Sequence, residues 1–489
     1  MNSLLQHLEP RGLWSHFEAL NAVPRASKKE DRVIQFMLDF GNNLGLETVK
    51  DTVGNVLIRK PATTGFEDRK TVVLQAHLDM VHQKNSDTAF DFDIQGIQMV
   101  VDGDWVRADG TTLGADNGIG VAAIMALLAS VDIVHPALEA LFTIDEETGM
   151  TGAKGLKGDW LTGEILLNLD TEEDAEIDIG CAGGVDVTAS LDYVPEAVVG
   201  RTNAYILTVK GLHGGHSGME IHKRLGNANK ILNRILFDIS PLGIRLSRID
   251  GGGLRNAIPR ESTAQFFVDM SNREAIQEAV DKAAAIIRSE YAGVDDNLRI
   301  ELTEWSPNDS FVLPLALQDR LIRAVYAAPN GVYRMSTSFD GLVETSNNIA
   351  RVEVGGGHMV VKCLTRSSVE SSKRDLAATL QCCFELMGAH VTFSGDYPGW
   401  TPRPDSSILH VLKTTYKGLF KTDPEIVACH AGLECGILGR NYPEMEMISF
   451  GPTILGAHSP QERVSISSVQ KFWTFLQAIL KDIPIKETK

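Results

Sequence analysis

The sequence predicts an α/β protein with a mostly parallel sheet, interrupted by an inserted α+β region. Three observations carry that prediction. The chain has 489 residues, too many for one ordinary core, so about two domains are expected. Short apolar runs alternate with helical patterns near both ends. The pattern changes character between residues 184 and 397. In the first segment, TVVLQA (Thr71 to Ala76), LEALFT (Leu138 to Thr143) and EILLNL (Glu164 to Leu169) read as buried strands. The apolar, Ala-rich IGVAAIMALLAS (Ile119 to Ser130) between them reads as a helix. Strands alternating with helices imply a parallel sheet.

The middle region reads differently. AYILTVKG (Ala204 to Gly211) is strand-like and leads into a Gly/His loop. LGNANKILNRILFDI is a helix, GGGLRNAIPRESTAQFFVDM a turn and an alternating strand, and Arg273 to Tyr291 a second helix. A similar order recurs in ETSNNIARVEVGGGHMVVKCLTRSS and SKRDLAATLQCCFELMG, as a duplicated α+β unit would give. GDYPGWTPRPDSS (Gly395 to Ser407) reads as a junction, after which HVLKTTYKGLF and MEMISF resume the α/β pattern. The expected division is therefore 1–183 and 398–489 for one domain in two pieces, with 184–397 inserted as a lid.

Composition narrows the function classes. The formal net charge is −18, and no basic run offsets it, so nucleic acid is a poor partner. MNSLLQHLEPRGLW lacks the basic and apolar regions of a signal peptide and reads as a short amphipathic helix with a Pro break. No stretch approaches the roughly 20 apolar residues of a membrane span, so neither a leader nor a membrane partner is expected. Cys181, Cys363, Cys382, Cys383, Cys429 and Cys435 form no CxxC pair. They read as reduced thiols of a cytoplasmic protein, each a small buried apolar residue.

The residues suited to chemistry sit after strands. His77 and Asp79 follow TVVLQ, Glu146 and Glu147 follow LEALF, and Asp170 follows ILLNL. His458 lies on a loop after MEMISF, and Asp116 stands just before a helix. In an open α/β sheet such positions converge on one crevice. Two histidines and three carboxylates can hold two zinc-type ions, one carboxylate bridging, and paired ions activate water for attack on a carbonyl. Asp79, two residues beyond His77 on an extended segment, can accept the imidazole N–H. Taken singly, each piece has a plainer reading: HxD as a surface pair, EE as solvated charge, GADNG as a turn, Asp170 as a cap, His458 as an exposed histidine.

Together, AHLDM, GADNG, DEETGMTGA, LNLDTEE and GAHSP resemble the M20 family of metallopeptidases over nearly the whole chain. The strings VVLQAHLDMVHQKN, GTTLGADNGIG, GCAGG, GGHSGMEIH, LRNAIPRE, HAGLECG and GPTILGAHSP are similar to its aminoacyl-histidine dipeptidase subgroup. The resemblance implies a two-zinc exopeptidase-like catalytic domain that hydrolyses dipeptides, Xaa-His included. It implies that Asp116 bridges two ions, with His77 and Asp170 on one and His458 and Glu147 on the other. Glu146 would be the general base and Asp79 would orient His77. A cis peptide would follow Asp116. In the insertion, His216 would steady the oxyanion, Arg366 and Asn256 would grip the substrate carboxylate, and Gly432 would let backbone approach it. Read from residues alone, His216 is a polar loop residue and Arg366 a surface arginine ending a strand. His213, His222 and His430 carry no assignment, and His82 falls outside the metal shell.

Zinc, cobalt and manganese all tolerate these ligands. The alternatives are another hydrolase of the family, such as an N-acyl amino acid deacylase or a carboxypeptidase-like exopeptidase, and a non-catalytic scaffold. The scaffold reading would require loss of Glu146 or a ligand, and none is lost. An insertion long enough to close over both ends of a short substrate favours dipeptides. A homodimer is compatible with the sequence.

Overall fold

The computed structural model describes residues 5, 7–307, 310–430 and 432–486. It divides into two compact units: residues 1–180, 400–428 and 433–489 form one, and 181–399 with 429–432 form the other. Against the expected 183/184 and 397/398, the breaks fall at 180/181 and 399/400, and the four-residue excursion at 429–432 was not anticipated.

The first unit is built on an eight-stranded sheet. Its centre is parallel: Val72–His77 lies between Leu138–Thr143 and Ile165–Asn168, and Glu446–Ser449 pairs with the last of these. The flanks are antiparallel, with Val56–Lys60 on Leu138–Thr143 and Glu47–Lys50 beyond it. Every residue of Val72–His77 and Leu138–Thr143 is buried, as expected of strands covered on both faces. Helix Ala115–Ala129 is apolar nearly all round and buried along its length, packed between that sheet and helix Arg11–Asn21. Arg11–Asn21 begins after Pro10, where the sequence placed its break; part of the N-terminal helix reading lies outside the described residues. The peptide between Asp116 and Asn117 is cis. A small antiparallel sheet carries the loop of His458 between Ile454–Leu455 and Arg463–Ser465.

The second unit holds a nine-stranded antiparallel sheet, with four helices contributing to its core. Its strand order resolves into two copies of one topology. In the first copy, Thr202–Lys210, helix Ala228–Ile239, Arg245–Gly252, Ser262–Asp269, helix Arg273–Glu290 and Arg299–Glu304 form a βαββαβ unit. Its fourth strand flanks the first, and the third lies between first and second. In the second copy, Gly183–Asp192 is the first strand, followed after the whole first copy by helix Leu315–Ala327, Val343–Gly355, His358–Ser367, helix Glu370–Leu386 and His390–Tyr397. The order across the sheet is the same, and the second strands of the two copies pair with each other. Each copy is thus a split βαβ, ferredoxin-like unit.

Among the described residues no helix is long and apolar enough to cross a membrane. None of the six cysteines forms a disulfide; Cys181, Cys363 and Cys435 are buried, but Cys382 is exposed on helix Glu370–Leu386, so a buried reading fails there.

Candidate active site

Parallel register puts the ends of three strands level: His77 is opposite Thr143, and Gln75 opposite Asn168. The turns that follow therefore bring His77, Glu146, Glu147 and Asp170 to one edge of the first unit. Asp116 arrives from the start of its helix. Gly114, before it, has φ 69°, and a Cβ there would lie 2.5 Å from Arg25 Nη2, so the turn into the helix needs glycine.

Asp116 divides its carboxylate between two imidazoles. Oδ1 is 3.1 Å from His77 Nε2, and Oδ2 is 3.1 Å from His458 Nε2. Asp170 Oδ1 stands 3.4 Å from His77 Nε2, and Glu147 Oε2 stands 2.9 Å from His458 Nε2. Two donor triads thus share Asp116. Asp170 Oδ1 and Glu147 Oε1 are buried without a hydrogen-bond partner. Unsatisfied buried oxygens beside imidazole nitrogens are a donor set that fits divalent ions, zinc first and cobalt or manganese also.

The electrostatics reflect crowded acids. Burial, reinforced by Asp116 and Glu147, raises Asp170 to about 6 against the pull of His77. Burial with Asp116 and Asp170 raises Glu172 to about 8. Glu146 is pushed well above the carboxylate range by burial, with Asp170, Glu434 and Glu147 adding to it. Hydrogen bonds from the imidazole to the Asp116 and Glu147 carboxylates hold His458 up at about 11. Burial opposes the His77 cation, but Asp170, Asp116 and Asp79 outweigh it and raise it well above its ordinary value. Such a concentration of negative charge favours bound cations.

Asp79 is fully buried and does more than face His77. Its oxygens accept the amide N–H of Glu146 at 3.0 Å and of Glu147 at 3.3 Å, and the Ser27 hydroxyl at 2.8 Å. His77 Nδ1 lies 3.2 Å from the Asp79 carbonyl and 3.5 Å from Oδ1. A carbonyl only accepts, so a neutral ring carries its proton on Nδ1 and its lone pair on Nε2. Asp79 belongs to a third acidic group with Glu30 and Asp145, but protein donors answer that one: Lys28 pairs with Asp145.

Several buried residues that hold this edge carry no sequence signal of their own. Glu462, 2% exposed, accepts the amides of Leu113 at 2.7 Å, Gly114 at 2.9 Å, Ala115 at 2.7 Å and Asp116 at 3.2 Å. It stands four residues after His458, so one loop supplies both His458 and the anchor of Asp116. Arg25 donates to the carbonyls of Leu78, Asp79 and Gly114 and to Asn21. Glu434 accepts from Gln75 Nε2 at 2.7 Å and Thr143 Oγ1 at 2.6 Å. Asn168 Nδ2 donates on to Gln75, and the Ser449 hydroxyl to Asn168. Gln75 and Asn168 lie two residues before His77 and Asp170, on the same strand faces. This chain of polar side chains braces the strand ends that lead to His77 and Asp170.

The remaining predicted residues belong to the second unit. His216 follows the first strand of the first repeat. Its Nδ1 accepts the amides of Gly218 at 3.2 Å and Met219 at 3.0 Å, so a neutral ring carries its proton on Nε2. Burial and the charge of Arg366 lower its pKa, which favours that neutral ring. Asn256 has an exposed side chain, and its carbonyl accepts the Ser217 amide at 2.7 Å. Gly432 is half-buried. Arg366 is 5% exposed, not a surface residue, and it makes no ion pair among the described residues. His430, left unassigned by sequence, meets the Ser346 hydroxyl at 2.8 Å and is depressed to about 3 by burial and by Arg366. His82 packs against Phe92, apart from the ligands.

Comparison with known proteins agrees with this architecture. The chain is 46% identical over 485 residues to a cytosol non-specific dipeptidase of Escherichia coli, covering 99% of this chain and 100% of that one. The crystal structure of an aminoacylhistidine dipeptidase from Vibrio alginolyticus superimposes with a TM-score of 0.96 at 44% identity, over 99% of each chain. An aminopeptidase PepT from Bacillus cereus, at 16% identity and a TM-score of 0.57, shares the fold over 97% of this chain and 99% of its own. The model of peptidase family M20/M25/M40 matches residues 73–482, and the chain belongs to that family.

Proposed function

We propose that the protein is a cytoplasmic dinuclear metallopeptidase that hydrolyses dipeptides, Xaa-His dipeptides included. The observation that carries this reading is the division of the Asp116 carboxylate between His77 and His458, each with one further acidic partner. His77 and Asp170 would hold one ion, His458 and Glu147 the other, and Asp116 both. When bound, divalent ions there would supply an activated water and polarisation of the scissile carbonyl. Glu146 takes the proton of the attacking water on its carboxylate and returns it to the leaving amine. Asp79 fixes the tautomer of His77 and, through two amides, the turn that presents Glu146 and Glu147. His216, protonated at Nε2, donates to the oxyanion of the tetrahedral state.

Arg366 holds the substrate carboxylate, with Asn256 in the same role and Gly432 allowing close approach of backbone. Support for Arg366 comes from its own environment. A guanidinium 5% exposed, with Nε lacking any acceptor, is under-satisfied and suited to an incoming anion. The names of the two similar dipeptidases support the substrate class.

The test is metal-stripped protein, reconstituted and assayed on dipeptides, tripeptides and N-acylated amino acids. Dipeptides should be turned over fastest, with full activity at two equivalents of metal. Faster hydrolysis of N-acylated amino acids would replace this reading with a deacylase.

A further inference from the structure

We propose that Tyr397 is the positioning residue of the substrate-carboxylate site: its hydroxyl aims the Arg366 guanidinium and offers its own O–H to the same carboxylate. This rests on the reading of Arg366 as the carboxylate anchor.

The arrangement follows from strand register. Gly184 is the cross-strand neighbour of Arg366 on one side and of Tyr397 on the other. Directly opposed residues in antiparallel strands project from the same face. Arg366 and Tyr397 therefore stand on one face, two strands apart, with a bare glycine between them. The Tyr397 ring leans across that gap, and Arg366 Nη1 donates to its hydroxyl at 2.7 Å. A Cβ on Gly184 would meet the ring and its oxygen at 2.7 Å, so only glycine leaves the ring its place. Gly183 does the same for the main chain: a Cβ there would lie 2.3 Å from the Gly399 nitrogen. The GCAGG run thereby acquires a physical reason. From the other side, the Lys373 ammonium, 1% exposed, donates to the Tyr397 carbonyl at 2.6 Å and pairs with Asp396 at 2.7 Å and Glu370 at 3.0 Å.

Arg366 differs from the other well-held arginines. Arg25, also buried, makes four hydrogen bonds through Nη1 and Nη2, although its Nε, like that of Arg366, has no partner. Arg255 is occupied by the carbonyls of Val187 and Cys363, by Thr188 and by Asp186. Arg366 has one neutral partner, and that partner holds it without neutralising it. A guanidinium only donates, so the bond uses the phenolic oxygen and leaves the Tyr397 proton free to donate. The bond to Arg366 is one in which the hydroxyl oxygen accepts. Burial raises the phenol, which keeps the proton in place. A carboxylate in the Arg366 fork would accept it.

The experiment uses the full-length, metal-loaded enzyme as wild type, Tyr397→Phe, Arg366→Ala and the double variant, each on a dipeptide and on its C-terminal amide. Phenylalanine keeps the ring and its contacts and removes only the hydroxyl. Tyr397→Phe should lower kcat/KM on the dipeptide about five- to tenfold, mainly through KM, and leave the amide within about twofold. In the Arg366→Ala background it should add no further loss. A selective Arg366→Ala paired with a Tyr397→Phe that is silent, or that slows both substrates equally, would overturn the role of Tyr397 and leave the anchor standing. An Arg366→Ala that slows both substrates equally would overturn the anchor, and the proposal with it.

Discussion

Replacing Glu462 with glutamine tests whether Asp116 is held by the loop that also carries His458. The glutamate accepts four amide N–H groups at 2.7–3.2 Å while 2% exposed. Four donors leave no acceptor for a carboxyl proton, so this geometry favours the ionised form, even though burial pushes the pKa upward. Glutamine keeps one oxygen for two of the amides and turns an NH₂ group toward the other two. Two buried charge-assisted bonds are lost and donors face donors, a cost of about 3–5 kcal/mol. That is a large share of the roughly 5–15 kcal/mol by which domains are stable. Loss of support around a ligand typically weakens metal binding by about 10- to 100-fold. The assay is chelator competition for bound zinc beside thermal denaturation. Leu380→Ala is the control, because Leu380 is fully buried in the other unit and its truncation costs about 2–5 kcal/mol without touching a ligand. The control should lower the melting temperature and spare zinc affinity; Glu462→Gln should lower both. Zinc affinity within twofold of wild type in Glu462→Gln would show that Glu462 does not hold Asp116 in place for metal.

Further expectations follow from the same geometry. Chelation should abolish turnover and lower the melting temperature, and both should return with metal; full turnover by metal-free protein would contradict the site. Glu146→Gln should retain bound metal, by elemental analysis, and lose at least about 100-fold in kcat, because the amide cannot accept the proton of water. His430, depressed to about 3, refuses a proton that the unfolded chain accepts below about 6.5. Stability should therefore fall as pH drops between those values, by up to about 1.4 kcal/mol per unit. His430→Gln should flatten that part of the profile in denaturant titrations, and an unchanged slope would remove His430 as the cause.

The convergence of the candidate ligands was legible because their residue types fall after strands, and strand ends are visible as apolar runs. Leu138 to Thr143 matches the observed strand, and helix and strand limits elsewhere shift by a few residues. The supports were not legible. Glu462, Arg25 and Glu434 act through backbone groups and neutral side chains distant in sequence, and nothing local distinguishes a glutamate that accepts four amides from one in solvent. Arg366 shows the same limit in reverse: a strand-ending arginine reads as exposed, and only the register of three strands buries it beside Tyr397.

The duplicated unit shows why order along a chain underdetermines pairing. Its second copy could be seen as strands about a GGG turn and a helix, but its first strand, Gly183–Asp192, precedes the whole first copy. No local pattern says that this strand must wait for partners some 170 residues later, at His358–Ser367. The separation has a consequence for the proposed anchor. Arg366 and Tyr397 share a face only because Gly184 has entered the sheet between them, so the carboxylate site exists only once the second copy is complete. Early insertion of the first copy thus ties assembly of that site to the last long-range pairing of the unit. Pairings of large sequence separation carry the larger loop-closure cost. In pulsed hydrogen exchange during refolding, amides of Gly183–Asp192 should gain protection after those of the locally paired Arg245–Gly252 and Ser262–Asp269. Protection of Gly183–Asp192 first would show that the central strand nucleates the sheet instead.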